Sequence, residues 1–316
     1  MSAATEPTLW QLLSKVSRSF DFAIRALPDP LREQACTAYL LCRIVDTVED
    51  AVDQKNRPAY FDHFRELLRS PRPKSEINFS GLKCSNENET LLIQNCHAVF
   101  ESYFSFDEKV RHHFIQHILE MTEGMAFFSA RKDAKKKLIE TDAELDRYCY
   151  FVAGTVGLLL TDLFAHHFSK NGRWTELQRE PAIAFGLGLQ KINILRDMNS
   201  DAENGVSYFH SGLSEKSAKE LMNSALANLT KAKSYIVNIP SDETGVRLFC
   251  SWPYLSALLV LERLATTPTL VCPGQIISVK KEAMFAMMEE VEKEISDNHP
   301  IENIIDRYLK RCLTRA

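Results

Sequence analysis

Glycine and proline are scarce, eleven and twelve residues, about 7% of the 316-residue chain against ~12% in ordinary proteins. That leaves too few turn residues for a β-sandwich, a propeller or a collagen-like chain. The eight cysteines contain no C-x-x-C pair, and several sit inside apolar runs, as Cys42 does after Tyr39-Leu40-Leu41. This excludes a zinc ribbon and a disulfide framework, and fits reduced intracellular thiols used as small hydrophobes. No charge excess exists: 38 basic and 42 acidic residues give a net charge of −4, so no nucleic-acid partner is expected. No apolar run approaches the ~20 residues that span a bilayer; the longest, such as Ala182–Leu189, are far shorter. Met1–Trp10 lacks a basic region followed by an apolar stretch, so no secretory signal is expected. Sustained period-two alternation and internal repeats are also missing.

What is present is helical periodicity. Gln11–Leu27 reads as a first helix stopped by Pro28 and Pro30, and a second runs from Leu31 past Asp50. Asn56–Leu68 follows, with Tyr60, Phe61, Phe64, Leu67 and Leu68 on one face. Ser70–Glu89 is polar, holds two prolines and reads as a surface loop. Helical patterns resume over Thr90–Tyr103, Asp107–Ala130 and Thr141–Phe168, and Pro181 opens a helix running through Asp201. Ser214–Asn238, Gly245–Ala265, Lys280–Ser296 and Ile301–Leu313 complete the set. The fold class is all-α, in one domain.

Two acidic clusters stand in apolar surroundings. Asp46, Glu49 and Asp50 are spaced i, i+3, i+4 and share a helix face, after two almost wholly apolar turns. Asn193, Asp197 and Asp201, at i, i+4, i+8, form a second polar stripe behind the apolar Ala182–Leu189. Carboxylates gathered in such places need a cation or strong donors. Two such stripes facing one another make an oxygen-lined site suited to magnesium, which keeps some waters and binds substrate phosphates.

Ser17-Arg18-Ser19-Phe20, Asp46-Thr47-Val48-Glu49-Asp50, Tyr148-Cys149-Tyr150-Phe151-Val152-Ala153-Gly154, and the stretch from Leu189-Gln190-Lys191 to Asp201 together resemble the squalene/phytoene synthase family. Their order and separations fit from about residue 13 to about residue 210. The D-T-V-E-D and L-Q-K-x-N strings are more similar to squalene synthases, and in length the chain is similar to the anchor-less bacterial enzymes.

The resemblance implies an isoprenoid-synthase helical bundle around a central apolar cavity, and head-to-head condensation of two farnesyl diphosphates through presqualene diphosphate, with NADPH reduction to squalene. It implies that Asp46, Glu49, Asp50, Asn193, Asp197 and Asp201 hold Mg²⁺ (or Mn²⁺ in its place). Arg18, Arg43 and Arg196 then neutralise diphosphate, or pair with the nearby carboxylates. Ser17 either donates to substrate or caps a helix. Phe20, Tyr39, Gln190 and Asn193 match substrate-contacting positions. Tyr148 matches a tyrosine of the first half-reaction, and Phe249 an aromatic shield that core packing explains equally well. Lys280 and Lys281 match, loosely, a basic stretch serving NADPH; no Rossmann fingerprint is present.

In the place before Tyr208, the Gly205-Val206-Ser207 string lacks the arginine usual in the family. Two rival readings follow: the same condensation without hydride transfer, giving presqualene diphosphate, dehydrosqualene or phytoene, and a non-catalytic binding protein on the same fold. The resemblance further implies a cytoplasmic monomer, peripheral to the inner face of the membrane where its product leaves. Neither His113 and His117 nor the basic run Arg131–Lys137 suggests a site: the first pair lacks a third zinc ligand, and the second reads as a solvated turn.

Overall fold

The computed structural model describes residues 6–50, 55–70, 77–79, 81–84, 86–134, 137–168, 172–203 and 205–314. Among them the chain forms fourteen α-helices and no strand. They are α1 (Leu9–Val16), α2 (Arg18–Arg25), α3 (Leu31–Asp50), α4 (Arg57–Arg69), α5 (Glu87–Gln94), α6 (Cys96–Ser105), α7 (Glu108–Asp133), α8 (Asp142–Cys149), α9 (Thr155–His167), α10 (Gly172–Glu203), α11 (Glu215–Val237), α12 (Thr244–Ala265), α13 (Lys281–Glu294) and α14 (Asn298–Leu313).

Three of the expected helices are broken, each for a local reason. The first divides at Ser17, whose extended backbone (φ −153°, ψ 116°) ends α1 while its hydroxyl accepts from the Phe20 amide at 3.2 Å to start α2. The second divides at Asn95 into α5 and α6. The third, Thr141–Phe168, continues as a helix but passes through a π-helical turn, Tyr150–Gly154, between α8 and α9. Pro181 does not open a helix. It lies inside α10, which begins at Gly172. The helix also reaches back into the segment read as a loop, since α5 starts at Glu87.

The centre of the bundle is built by α3, α7, α9, α10, α11 and α12. On α3 thirteen residues are buried, from Leu31 to Val48, leaving the acidic end as its wet face. Glycines set how closely the central helices approach: a Cβ on Gly157 of α9 would stand 2.5 Å from the Ala182 carbonyl oxygen of α10. His117 Nε2 and Asp162 Oδ2, 2.6 Å apart and both largely buried, tie α7 to α9. Asp162 is the partner that the histidine spacing alone could not supply, and the result is a bridge between helices.

Two helical stretches, Asp142–His167 and Thr244–Ala265, are long and apolar enough to cross a membrane, contrary to the expectation from single apolar runs. They are 61% and 67% buried inside the bundle over their most apolar windows. Their hydrophobicity is accounted for by the core they pack into.

Candidate active site

The wet end of α3 carries Asp46, Glu49 and Asp50. The Asp46 side chain keeps 28% of its surface in contact with solvent, yet protein surrounds it on most sides. That burial pushes its carboxyl up to about 7, with Asp50 and Glu89 adding to the rise and Arg43, 3.6 Å away, opposing it. Glu49 is raised well above the usual carboxylate range by burial and then by Asp50 and Asp46. Asp50 is raised by burial and restrained first by Lys132.

On α10, burial and the charge of Asp197 push Asp201 up to about 6, and Asp50 of α3 is the next contributor. Asp201 feels the Asp50 charge, so the acidic ends of α3 and α10 are neighbours. Asp197 is held in a fork by its neighbour, with Arg196 Nε at 2.8 Å and Nη2 at 2.5 Å. The other faces of α10 anchor it. Buried Lys191 donates to Asp146 (2.5 Å), Ser224 (2.8 Å) and Asn228 (2.7 Å), and Asn199 holds the Leu270 carbonyl and the Cys272 amide.

Near these carboxylates lie two tyrosines. Tyr148, 4% exposed at the end of α8, has its ring 5.2 Å from Tyr208, with the hydroxyls 3.3 Å apart, while Phe128 packs edge-on against its other side. Tyr208 arrives by a turn after α10: Gly205 takes φ +75°, open to glycine at little cost, and the Val206 amide donates to the Asp201 carbonyl. Both phenols feel the Glu49 charge.

A third group meets at the start of α2. The Phe20 and Tyr39 rings are 5.5 Å apart. Arg43, one turn along α3, donates to Glu89 at 2.8 Å. Ser17 caps α2, the second of its two expected roles. Arg18 lies on α2, with its side chain outside the described residues.

Other expected positions are less concentrated. Gln190 and Asn193 are half-buried on α10. Phe249, 5% exposed, packs against Phe164 at 5.9 Å, a core contact. Lys280 caps α13 and Lys281 begins it; both are exposed, on a helix that packs mainly on α12 and α14.

Two residues here carry no signal of their own in the sequence pattern. Tyr208 is marked only by the arginine missing near it. Lys132 reads as part of a solvated turn, but Arg131, Lys132 and Asp133 belong to α7. Arg131 grips Glu140 and Glu144, and Asp133 pairs with Arg57, fixing the helix end on either side of Lys132. Lys132 is the cation that acts on Glu49, Asp50 and Asp201 together. Lys135 and Lys136 of the same run lie outside the described residues.

Among the described residues no three Asp, Glu, His or Cys side chains converge into a ready cage for a metal. The donor set is nevertheless oxygen throughout, and burial, reinforced by neighbouring carboxylates, raises Asp46, Glu49, Asp50 and Asp201. That fits a hard divalent cation held through a few carboxylates, with waters and phosphate oxygens completing its shell.

A family model described as squalene/phytoene synthase matches residues 13–211. The squalene synthase of Schizosaccharomyces pombe is 28% identical over 284 residues, covering 82% of this chain and 59% of that protein. The chain therefore spans under two thirds of that relative's length. The human squalene synthase is 24% identical, over 93% of this chain and 75% of its own. Among solved structures, TcSQS in complex with the ligand E5700 superposes with a TM-score of 0.77 at 21% identity, covering 98% of both chains. The squalene synthase HpnC from Alicyclobacillus acidocaldarius gives 0.54 at 17% identity, over 79% of this chain and 88% of that one. These two likenesses concern the fold.

Proposed function

The chain belongs to the squalene/phytoene synthase family, and we propose that it joins two farnesyl diphosphates head to head into presqualene diphosphate and reduces this with NADPH to squalene. The observation that carries the reading is that Asp50 of α3 acts on Asp201 of α10, while Glu49 acts on the buried Tyr148–Tyr208 pair. One end of that arrangement binds cations and phosphates, and the other is shielded from water. We take one domain, residues 1–316, to carry the activity, as a monomer in the cytoplasm that touches the inner membrane face to release its product.

Asp46, Glu49, Asp50, Asn193, Asp197 and Asp201 would hold magnesium against the diphosphates. The metal, when bound, neutralises charge on the departing diphosphate. Lys132 serves the same charge from the protein side, and Arg196 exchanges its hold on Asp197 for phosphate oxygens. Arg43 keeps α3 in place through Glu89. Loss of diphosphate from one farnesyl chain leaves an allylic cation, which the double bond of the second attacks. The aromatic walls of Tyr148 and Phe128 favour that cation and keep water from quenching it. Ser17, Phe20, Tyr39 and Gln190 align the second substrate, and the half-buried apolar residues Val152, Val156, Leu160 and Ile183 are candidates for the wall of the prenyl cavity.

NADPH, when bound, supplies hydride to the second half-reaction, with Lys280 and Lys281 as contacts for its phosphates. The exposure of these lysines on α13 favours a second reading, in which the reaction ends without hydride transfer. Purified protein given farnesyl diphosphate and Mg²⁺, with and without NADPH, separates the two by product mass. Squalene formed only with NADPH is the expected result. A conjugated C30 hydrocarbon formed without it establishes the second, and no condensation product overturns both.

A further inference from the structure

Tyr148 is 4% exposed, and among the described residues the one polar side chain that meets its hydroxyl is Tyr208, at 3.3 Å. Phe128 closes one side of its ring. A proton taken up at the Tyr148 oxygen therefore has an apolar wall on one side and a second phenol on another. Tyr208 in turn borders a cavity of about 140 Å³ between α8, α11 and the segment after α10, whose wall includes Asp142, Asp146, His210 and Glu220. The space is large enough for several waters and has the polar groups to keep them. His210 stands at its rim, 33% exposed and 3.0 Å from Asp142.

We propose that Tyr208 relays the proton released in the first half-reaction from Tyr148 to water in this cavity, and so to solvent. The proposal rests on the condensation reading above. As the cyclopropane ring closes, the C–H electron pair at C1 of the first farnesyl chain becomes a ring C–C bond. The proton goes to a lone pair of the Tyr148 oxygen, the Tyr148 O–H proton passes to Tyr208, and the Tyr208 O–H proton passes to cavity water. Each hydroxyl gains one proton and gives one, so no phenolate forms. Burial and the Glu49 carboxylate push both phenols up, which disfavours a phenolate route. The 3.3 Å separation is longer than the ~2.8 Å of a strong hydroxyl pair, as catalytic contacts often are before substrate binds. Tyr208 acts through Tyr148 and is in that sense a positioning residue.

The test follows presqualene diphosphate formation in single turnover with farnesyl diphosphate and Mg²⁺, in H₂O and D₂O. Tyr208→Phe keeps the ring contact, so substrate affinity should hold while the first step slows at least ten-fold, and turnover of supplied presqualene diphosphate should be unchanged. In Tyr208→Ala, imidazole should restore the first step, whereas benzene, which fills space without passing protons, should not. A wild-type rate and solvent isotope effect in Tyr208→Phe overturns the relay, as does equal rescue by benzene. Rescue by neither additive, with the second step also slowed, assigns Tyr208 to packing and overturns it too. If wild-type protein forms no presqualene diphosphate, the condensation reading itself has failed, and the two failures remain distinct.

Discussion

Arg43 Nη2 lies 2.8 Å from Glu89 Oε1, a link between the acidic end of α3 and the first turn of α5. Glu89 is 4% exposed. Breaking one side of a buried pair costs about 3 kcal/mol. Arg43→Met should lose about that much in urea unfolding, and Arg43→Met/Glu89→Gln should recover most of it. A stable Arg43→Met with only a raised KM would mean that the arginine serves substrate alone.

The raised carboxyls make the stability of metal-free protein depend on pH. Asp46 and Asp201 are pushed up to about 7 and about 6, from ~3.9 in an unfolded chain. Between those limits the folded state holds protons that the unfolded state has released, so stability falls as pH rises. In chelator, Tm should drop several degrees between pH 5 and pH 8. Mg²⁺ with inorganic diphosphate should restore it at pH 8 and do little at pH 5. Asp50→Asn should raise the metal-free Tm at pH 8 while cutting turnover by orders of magnitude; a Tm that climbs with pH would contradict the charge balance drawn here.

Lys132 offsets Glu49, Asp50 and Asp201 at once. Lys132→Gln should raise KM for farnesyl diphosphate several-fold, with the salt dependence of KM weakened. Because Arg131 and Asp133 keep their own partners, the helix end should remain folded. Unchanged KM and salt dependence would return this residue to the role of a solvated charge.

Tyr148→Phe should bind farnesyl diphosphate normally and fail to produce presqualene diphosphate, since ring packing against Phe128 and Tyr208 survives and only the hydroxyl is lost. Wild-type turnover in this variant would leave Tyr148 as a core residue. Isothermal titration for binding and rapid-quench product analysis separate the two.

The helix class, and the grouping of each acidic stripe on one helix face, could be read from spacing, because i, i+3, i+4 periodicity reports a shared face directly. Helix interruptions could not. Ser17 ends one helix and begins another through a single φ/ψ choice, and Pro181 sits within α10 despite its bias toward first turns. Tyr208 and Lys132 are placed differently, by long-range partners: Tyr148 in one case and the Arg57–Asp133 pair in the other. Such partners lie 60 to 76 residues away in sequence, where local periodicity carries no information.

The Thr155 amide reaches back to the Tyr150 carbonyl, the i→i+5 bond of the π-turn. One residue more than an α-helix needs is accommodated there, and one residue is worth ~100° of rotation about the axis. The stretches on either side are thus out of phase: α8 aims Tyr148 at Tyr208, while α9 presents Gly157 to the backbone of α10. A regular helix could satisfy only one of these orientations. The turn acts as a phase shifter that lets a single rod present a reactive hydroxyl at one azimuth and a flat packing seam at another.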